Sequence, residues 1–164
     1  MRILPFLAVI PAACAPAVPA AAPGPVFDPL TFFAGRTEGV ARLKIVLRAA
    51  RGVRVQGSGR VEPDGTLVLD QIVAQDGRPA TRRRWRIRRT GPATYAGTLS
   101  DAVGPVAGEV SGNRLRLAFT MKGGVATEQW LTLAPDGRSA ANLLTARKFG
   151  VTVARLDETI RKLD

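Results

Sequence analysis

The sequence predicts an all-β fold, a single antiparallel up-and-down β-barrel of about ten strands preceded by a short helical turn. Three observations predict it. From Gly35 onward, apolar and polar residues alternate with a period of two. Turn signals interrupt that rhythm at spacings of roughly ten residues, as an antiparallel meander requires. A sheet that long, dry on one face and wet on the other, must close, because an open one leaves edges unpaired.

The elements follow in order. In "FDPLTFF", Asp28 and Pro29 suit the N-cap and first turn of a short helix. Phe27, Phe32 and Phe33 are placed to plug something apolar. Turn signals then fall at "ARG" 50–52, "PDG" 63–65, "DG" 76–77, "GP" 91–92, "GN" 112–113, "GG" 123–124, "PDG" 135–137 and "FG" 149–150. Between them Leu43, Ile45 and Leu47 share a face, as do Val53 and Val55, Leu67 and Leu69, and Trp85 and Ile87. Leu115, Leu117, Phe119 and Met121 repeat the pattern, while Arg42, Lys44, Arg54, Arg60, Arg114 and Arg116 take the opposite faces. "GSG" at 57–59 lies inside a strand and marks a bulge or kink. In "ARLDETIRKL", Leu156, Ile160 and Leu163 have helical spacing, whereas Leu156, Glu158 and Ile160 suit a strand; the segment is read as the closing strand.

"TRRRWRIRRT", residues 81–90, holds six arginines. In strand register Arg82, Arg84, Arg86 and Arg88 form a wet stripe, with side chains about 6.6 Å apart. Trp85 and Ile87 belong to the dry face, and Arg83 points the same way as Trp85. An inward guanidinium must find an anion, since a lone buried charge is very costly. Glu128, Asp101 or the carboxylate or phosphate of a ligand are the expected partners, unless Arg83 sits at the barrel rim and reaches water.

The chain has 164 residues, enough for one domain with a real core, and 46% are hydrophobic. The N-terminus reads as an address. Arg2 precedes an apolar run from Ile3 to Ile10 and small residues up to Cys14, too short to span a bilayer and shaped like a secretory signal. Cys14, the sole cysteine, follows "PAA" as in a bacterial lipobox, so residues 1–14 are read as a signal ending at a lipidated cysteine. Ala15 after the cysteine suggests transfer to the outer membrane. Cleavage further on, leaving a soluble periplasmic protein, or a misplaced start codon, also fits. Residues 15–26, rich in Ala and Pro, form a tether, and 27–164 form the barrel domain.

"FDPLTFFAGRTEG", "RRRWRIRRTGPATYAG", "GEVSGNRLRL" and "NLLTARKFGV" resemble, in order and spacing, an uncharacterised family of proteobacterial envelope lipoproteins, a domain of unknown function regarded as lipocalin-like. The resemblance runs from Phe27 to the end, with departures at Val40 and Leu143. It implies a β-barrel and an envelope location, and brings no activity, cofactor or ligand.

Histidine is absent and the barrel has no cysteine, so triads, thiol chemistry and the usual metal spacings are excluded, and no cofactor is expected. Net charge is +11, which favours anionic partners. Nucleic acid is disfavoured, because stacking aromatics do not interleave with the basic residues and the protein is secreted. Arg36 and Glu38 fall in an outward register and read as a surface pair. Arg83, Trp85, Tyr95, Trp130 and Asn142 are the candidate ligand contacts, with Lys148 as further polar lining or hairpin structure. The leading expectation is non-catalytic binding of a lipid or other amphiphile inside the barrel, its anionic head on Arg83. The alternative is a filled structural barrel whose basic outer face adheres to anionic lipid or polymer. An enzyme ranks last.

Overall fold

In a computed structural model, which describes residues 24–164, the chain forms a short helix and ten strands. Helix α1 (Pro29–Phe33) is followed by β1 (Gly35–Ile45), β2 (Arg51–Val61), β3 (Leu67–Gln75), β4 (Thr81–Arg89) and β5 (Thr94–Leu99). Then come β6 (Ala102–Ser111), β7 (Arg114–Met121), β8 (Val125–Leu133), β9 (Ser139–Lys148) and β10 (Val151–Lys162). Each strand pairs antiparallel with its sequence neighbours, and β1 also pairs with β10, so the sheet is a closed barrel. The segment with two possible periodicities is therefore the closing strand.

Local chemistry explains the turns. Asp64 Oδ1 accepts from the Thr66 amide at 2.9 Å, and Asp136 Oδ1 accepts from the Arg138 amide at 2.8 Å. In both PDG turns the glycine supplies the positive φ, 80° at Gly65 and 66° at Gly137.

Strand parity sorts most side chains as expected; Leu47, expected on the face of Leu43 and Ile45, instead lies in the turn beyond β1 and is exposed. Trp85, Ile87, Leu115, Leu117 and Phe119 are buried in the barrel, and Arg82, Arg84, Arg86 and Arg88 are exposed on its outer wall. Much of the arginine stripe is neutralised there. Arg84 grips Asp70 through two hydrogen bonds of 2.6 and 3.1 Å, Arg86 reaches Glu62 at 2.9 Å, and Arg60 lies 3.6 Å from both acids. These are exposed pairs, weak in stability but sufficient to mask charge.

The two barrel ends differ. At one, α1 seals the lumen. Asp28 caps the helix by accepting from the Leu30 amide at 3.2 Å, and Pro29 needs no amide partner at the first turn. Phe27, Phe32 and Phe33 then pack into the main core with Leu67, Ile87, Leu115 and Leu131. Burying a side chain of this kind stabilises the fold by roughly 1.5–3 kcal/mol. Lys162 Nζ at the end of β10 donates to the carbonyls of Thr31, Phe32 and Ala34, holding the helix in the opening. A Cβ on Gly59 would overlap the Phe33 carbonyl, so this glycine lets the helix lie against β2. The "GSG" signal thus marks a close backbone approach.

At the other end, Leu43, Val73 and Leu156 face the lumen but are only partly buried, packing against a separate small cluster of Ala41, Val53 and Val55. The lumen is sealed at the helical end and more loosely covered at the hairpin end.

Candidate functional site

Between the two apolar clusters lies a polar belt. Five strands contribute to it: β3 gives Gln71, β4 Arg83, β8 Thr127 and Gln129, β9 Asn142 and β10 Glu158. In each case the parity that turns neighbouring Leu, Trp or Ile inward turns the polar residue inward too. Gln71, Gln129, Thr127, Asn142 and Glu158 are all buried.

Arg83 is held on one side. Its Nε donates to Gln71 Oε1 at 2.7 Å, and the same oxygen accepts from Trp85 Nε1 at 2.9 Å. The guanidinium carbon lies 5.8 Å from the centroid of the Trp85 ring, a cation–π distance. Trp85 is fixed in turn by an edge-on contact with Phe119, with centroids 5.4 Å apart. Burial pulls the Arg83 pKa below its ordinary value, and the negative potentials of Glu158 and then Asp101 oppose it. An arginine in this position remains a cation.

Glu158 belongs to the opposite part of the belt. Its Oε2 accepts from Asn142 Nδ2 at 2.8 Å. Its side chain lies over Gly39, where a Cβ would collide with Oε1. Burial raises the Glu158 carboxyl above the usual carboxylate range, with the Asn142 hydrogen bond and the Arg83 charge pulling it back. Among the ion pairs of the described residues none joins Arg83 to Glu158, so the two are neighbours in potential without a salt bridge.

A cavity of about 30 Å³ lies at this belt, lined by Gln71, Arg83, Trp85, Gln129, Asn142 and Glu158 over an apolar floor. It has room for a water or a few atoms of a polar group and is too small for a hydrocarbon chain. Asn142 Oδ1 is buried without a hydrogen-bond partner, which leaves an open acceptor beside it. The site therefore presents a fixed cation, a carboxyl reluctant to ionise and a free amide oxygen. Such a set has the chemistry to bind and orient a polar group.

Sequence-predicted residues divide between places. Arg83, Trp85 and Asn142 come together in the belt. Tyr95 is buried at the helical end instead. Its hydroxyl lies 3.5 Å from Asp28 Oδ1, and Arg89 sits 4.9 Å over its ring while pairing with Asp28 at 3.2 Å. Burial and then the Asp28 charge push the Tyr95 hydroxyl up. Trp130 corrects the expectation that it lines the interior. Leu131 and Leu133 set the inward parity of β8, so Trp130 stands on the outer wall, 40% exposed, donating to Glu128 Oε1 at 2.8 Å. Glu128 is not the partner of Arg83 either; it accepts from Arg116 at 2.6 Å outside the barrel, which holds its carboxyl below the usual range. Arg36 is exposed as expected, and its ion pair is with Asp164 at 3.5 Å, not with Glu38. Lys148 is exposed at a hairpin tip. Cys14 lies outside the described residues.

The missed members of the site are Gln71, Thr127, Gln129 and Glu158. All four are signalled by parity: Glu158 lies between Leu156 and Ile160, Gln71 two residues after Leu69, and Thr127 and Gln129 in the register of Leu131. No metal is suggested: among the described residues no three Cys, His, Asp or Glu side chains cluster. No helix among them is long and apolar enough to cross a membrane.

Fold and site together define a closed antiparallel β-barrel protein, lipocalin-like in fold, with a polar belt across its lumen. The chain belongs to the family described as Protein of unknown function (DUF3833), which matches residues 9–162. Among solved structures it is similar to an S-type phycobiliprotein lyase, CPES, from Guillardia theta. The TM-score is 0.63 and the identity 7%, with 82% of this chain and 90% of that one covered. At that identity the likeness is one of fold. No curated protein matches the chain.

Proposed function

We propose that the protein is a non-catalytic binding protein of the bacterial cell envelope, whose lumen takes a small amphiphile by its anionic head. The observation that carries this reading is Arg83. Gln71 occupies only its Nε, no carboxylate among the described residues pairs with it, and it borders the belt cavity. In this reading the head group sits at the belt, and the chain of the amphiphile has to pass toward the hairpin end by displacing the partly buried Leu43, Val73 and Leu156. The sealed, helical half is packed too tightly to take it.

The reading includes an address. Residues 1–14 act as a signal, Cys14 carries the lipid, 15–26 are the tether, and the barrel faces the periplasm from the outer membrane. A soluble periplasmic form is the variant of this reading in which Cys14 is removed. The solved neighbour is a lyase, but at 7% identity that likeness carries the fold and no activity to this chain.

A titration separates anion recognition from mere hydrophobic uptake. A fluorescent fatty acid should bind the wild-type chain at least about tenfold more tightly than the corresponding alcohol, the weight of one charge-assisted contact. Arg83→Gln should erase that preference while leaving alcohol binding unchanged. Equal affinity of wild type and Arg83→Gln for the acid sinks the reading.

A further inference from the structure

We propose that the two adjacent hairpin tips at the open end, β1–β2 and β9–β10, insert into the surface of an anionic lipid bilayer. Leu47 at one tip is 99% exposed and Phe149 at the other is 94% exposed, flanked by exposed Val46 and Val151. The tips are neighbours because β1 pairs with β10. The Val46 amide donates to the Val153 carbonyl at 3.0 Å and links them directly.

Both tip residues have positive φ, 61° at Leu47 and 51° at Phe149. This conformation suits Gly or Asn and disfavours bulky side chains. The chain thus places two large apolar groups in strained positions where neither contributes to the core. Folding does not explain them; contact with another apolar phase does.

Charge identifies that phase. Segments 44–51 and 147–155 contain Lys44, Arg48, Arg51, Arg147, Lys148 and Arg155 and no acidic residue. Lys148 Nζ lies 5.6 Å from the Phe149 ring centroid, and Lys44 Nζ caps the turn through the Arg48 carbonyl at 2.6 Å. Apolar tips on cationic stems match a bilayer, whose hydrocarbon lies just beneath a layer of phosphates. A protein partner would call for a broad face of about 800 Å², and these tips are narrow and protruding. The site is separate from the arginine stripe of β4, whose charge Asp70 and Glu62 partly cancel, and it does not depend on what the lumen contains.

The test uses the full chain with Cys14→Ser, so that no acyl group contributes, and vesicles of phosphatidylcholine with or without phosphatidylglycerol. In Phe149→Trp, brominated phosphatidylglycerol should quench the fluorescence that the substitution adds. Leu47→Asn with Phe149→Asn should lower partitioning at least about tenfold while leaving thermal unfolding intact or improved, because Asn accepts the positive φ. Arg48→Gln with Lys148→Gln should cost about fivefold per charge on anionic vesicles only. The proposal is overturned if the added fluorescence of Phe149→Trp is unquenched, or if the double Asn variant binds as well as wild type. Binding to a soluble polyanion with no quenching, or loss of vesicle binding in Arg82→Gln with Arg88→Gln instead, also overturns it. Should the Asn variant misfold, the quenching result decides.

Discussion

Glu158 is the residue on which the chemistry of the lumen turns. Its carboxyl is buried, accepts one hydrogen bond from Asn142, and is held above the usual carboxylate range chiefly by desolvation. A carboxyl raised in the folded state contributes stability that is complete below its unfolded pKa and is lost as pH rises through the folded one. Glu158→Gln keeps the shape and the Asn142 bond but removes that titration. The difference in melting temperature, variant minus wild type, should therefore grow from about pH 4 to about pH 8. Thermal unfolding followed by circular dichroism reads it. A difference that is flat or shrinks over that range would show that Glu158 is not buried in this way. The inward direction of Glu158 was legible from Leu156 and Ile160. Its nearness to Arg83 was not, because which residues meet across a lumen depends on the stagger of the whole barrel, and periodicity along one strand does not contain it.

Among the elements, helix α1 was readable from its cap and three phenylalanines, and the strands from their turns. What sequence could not supply was the fit between them. Gly59 reads as a flaw in a strand; in the fold it is where the Phe33 carbonyl rests on β2. Gly59→Ala should destabilise the protein by about 1–3 kcal/mol, the usual result of forcing atoms into a packed contact, measured by urea unfolding. A cost near zero would mean that the helix does not sit tightly in the barrel end. Trp130 teaches the converse. As an aromatic in a strand it invited placement inside, but Leu131 and Leu133 outweigh it in setting the parity of β8, and its indole finds Glu128 on the outer wall. One strand has one register, and the larger apolar set decides it.

Taken together, the strands and helix make a barrel sealed at one end, belted by polar groups at mid-height and open at the other end, where its most exposed apolar side chains stand. Closure was legible because ten amphipathic strands have no other way to pair both edges. The charge of +11 was legible as well, but not its distribution: the arginine-rich strand is partly neutralised, while the cations near the β1–β2 and β9–β10 tips form no ion pair among the described residues. The proposed function rests on one claim, that Arg83 holds the anionic head of an amphiphile in the lumen. Native mass spectrometry of the chain isolated from its own host's envelope is the decisive experiment. The expected spectrum shows a mature mass that begins at acylated Cys14, with an additional amphiphile that dissociates on activation and is missing from Arg83→Gln. A barrel recovered empty, or one that retains the same amphiphile in Arg83→Gln, would contradict that role for Arg83.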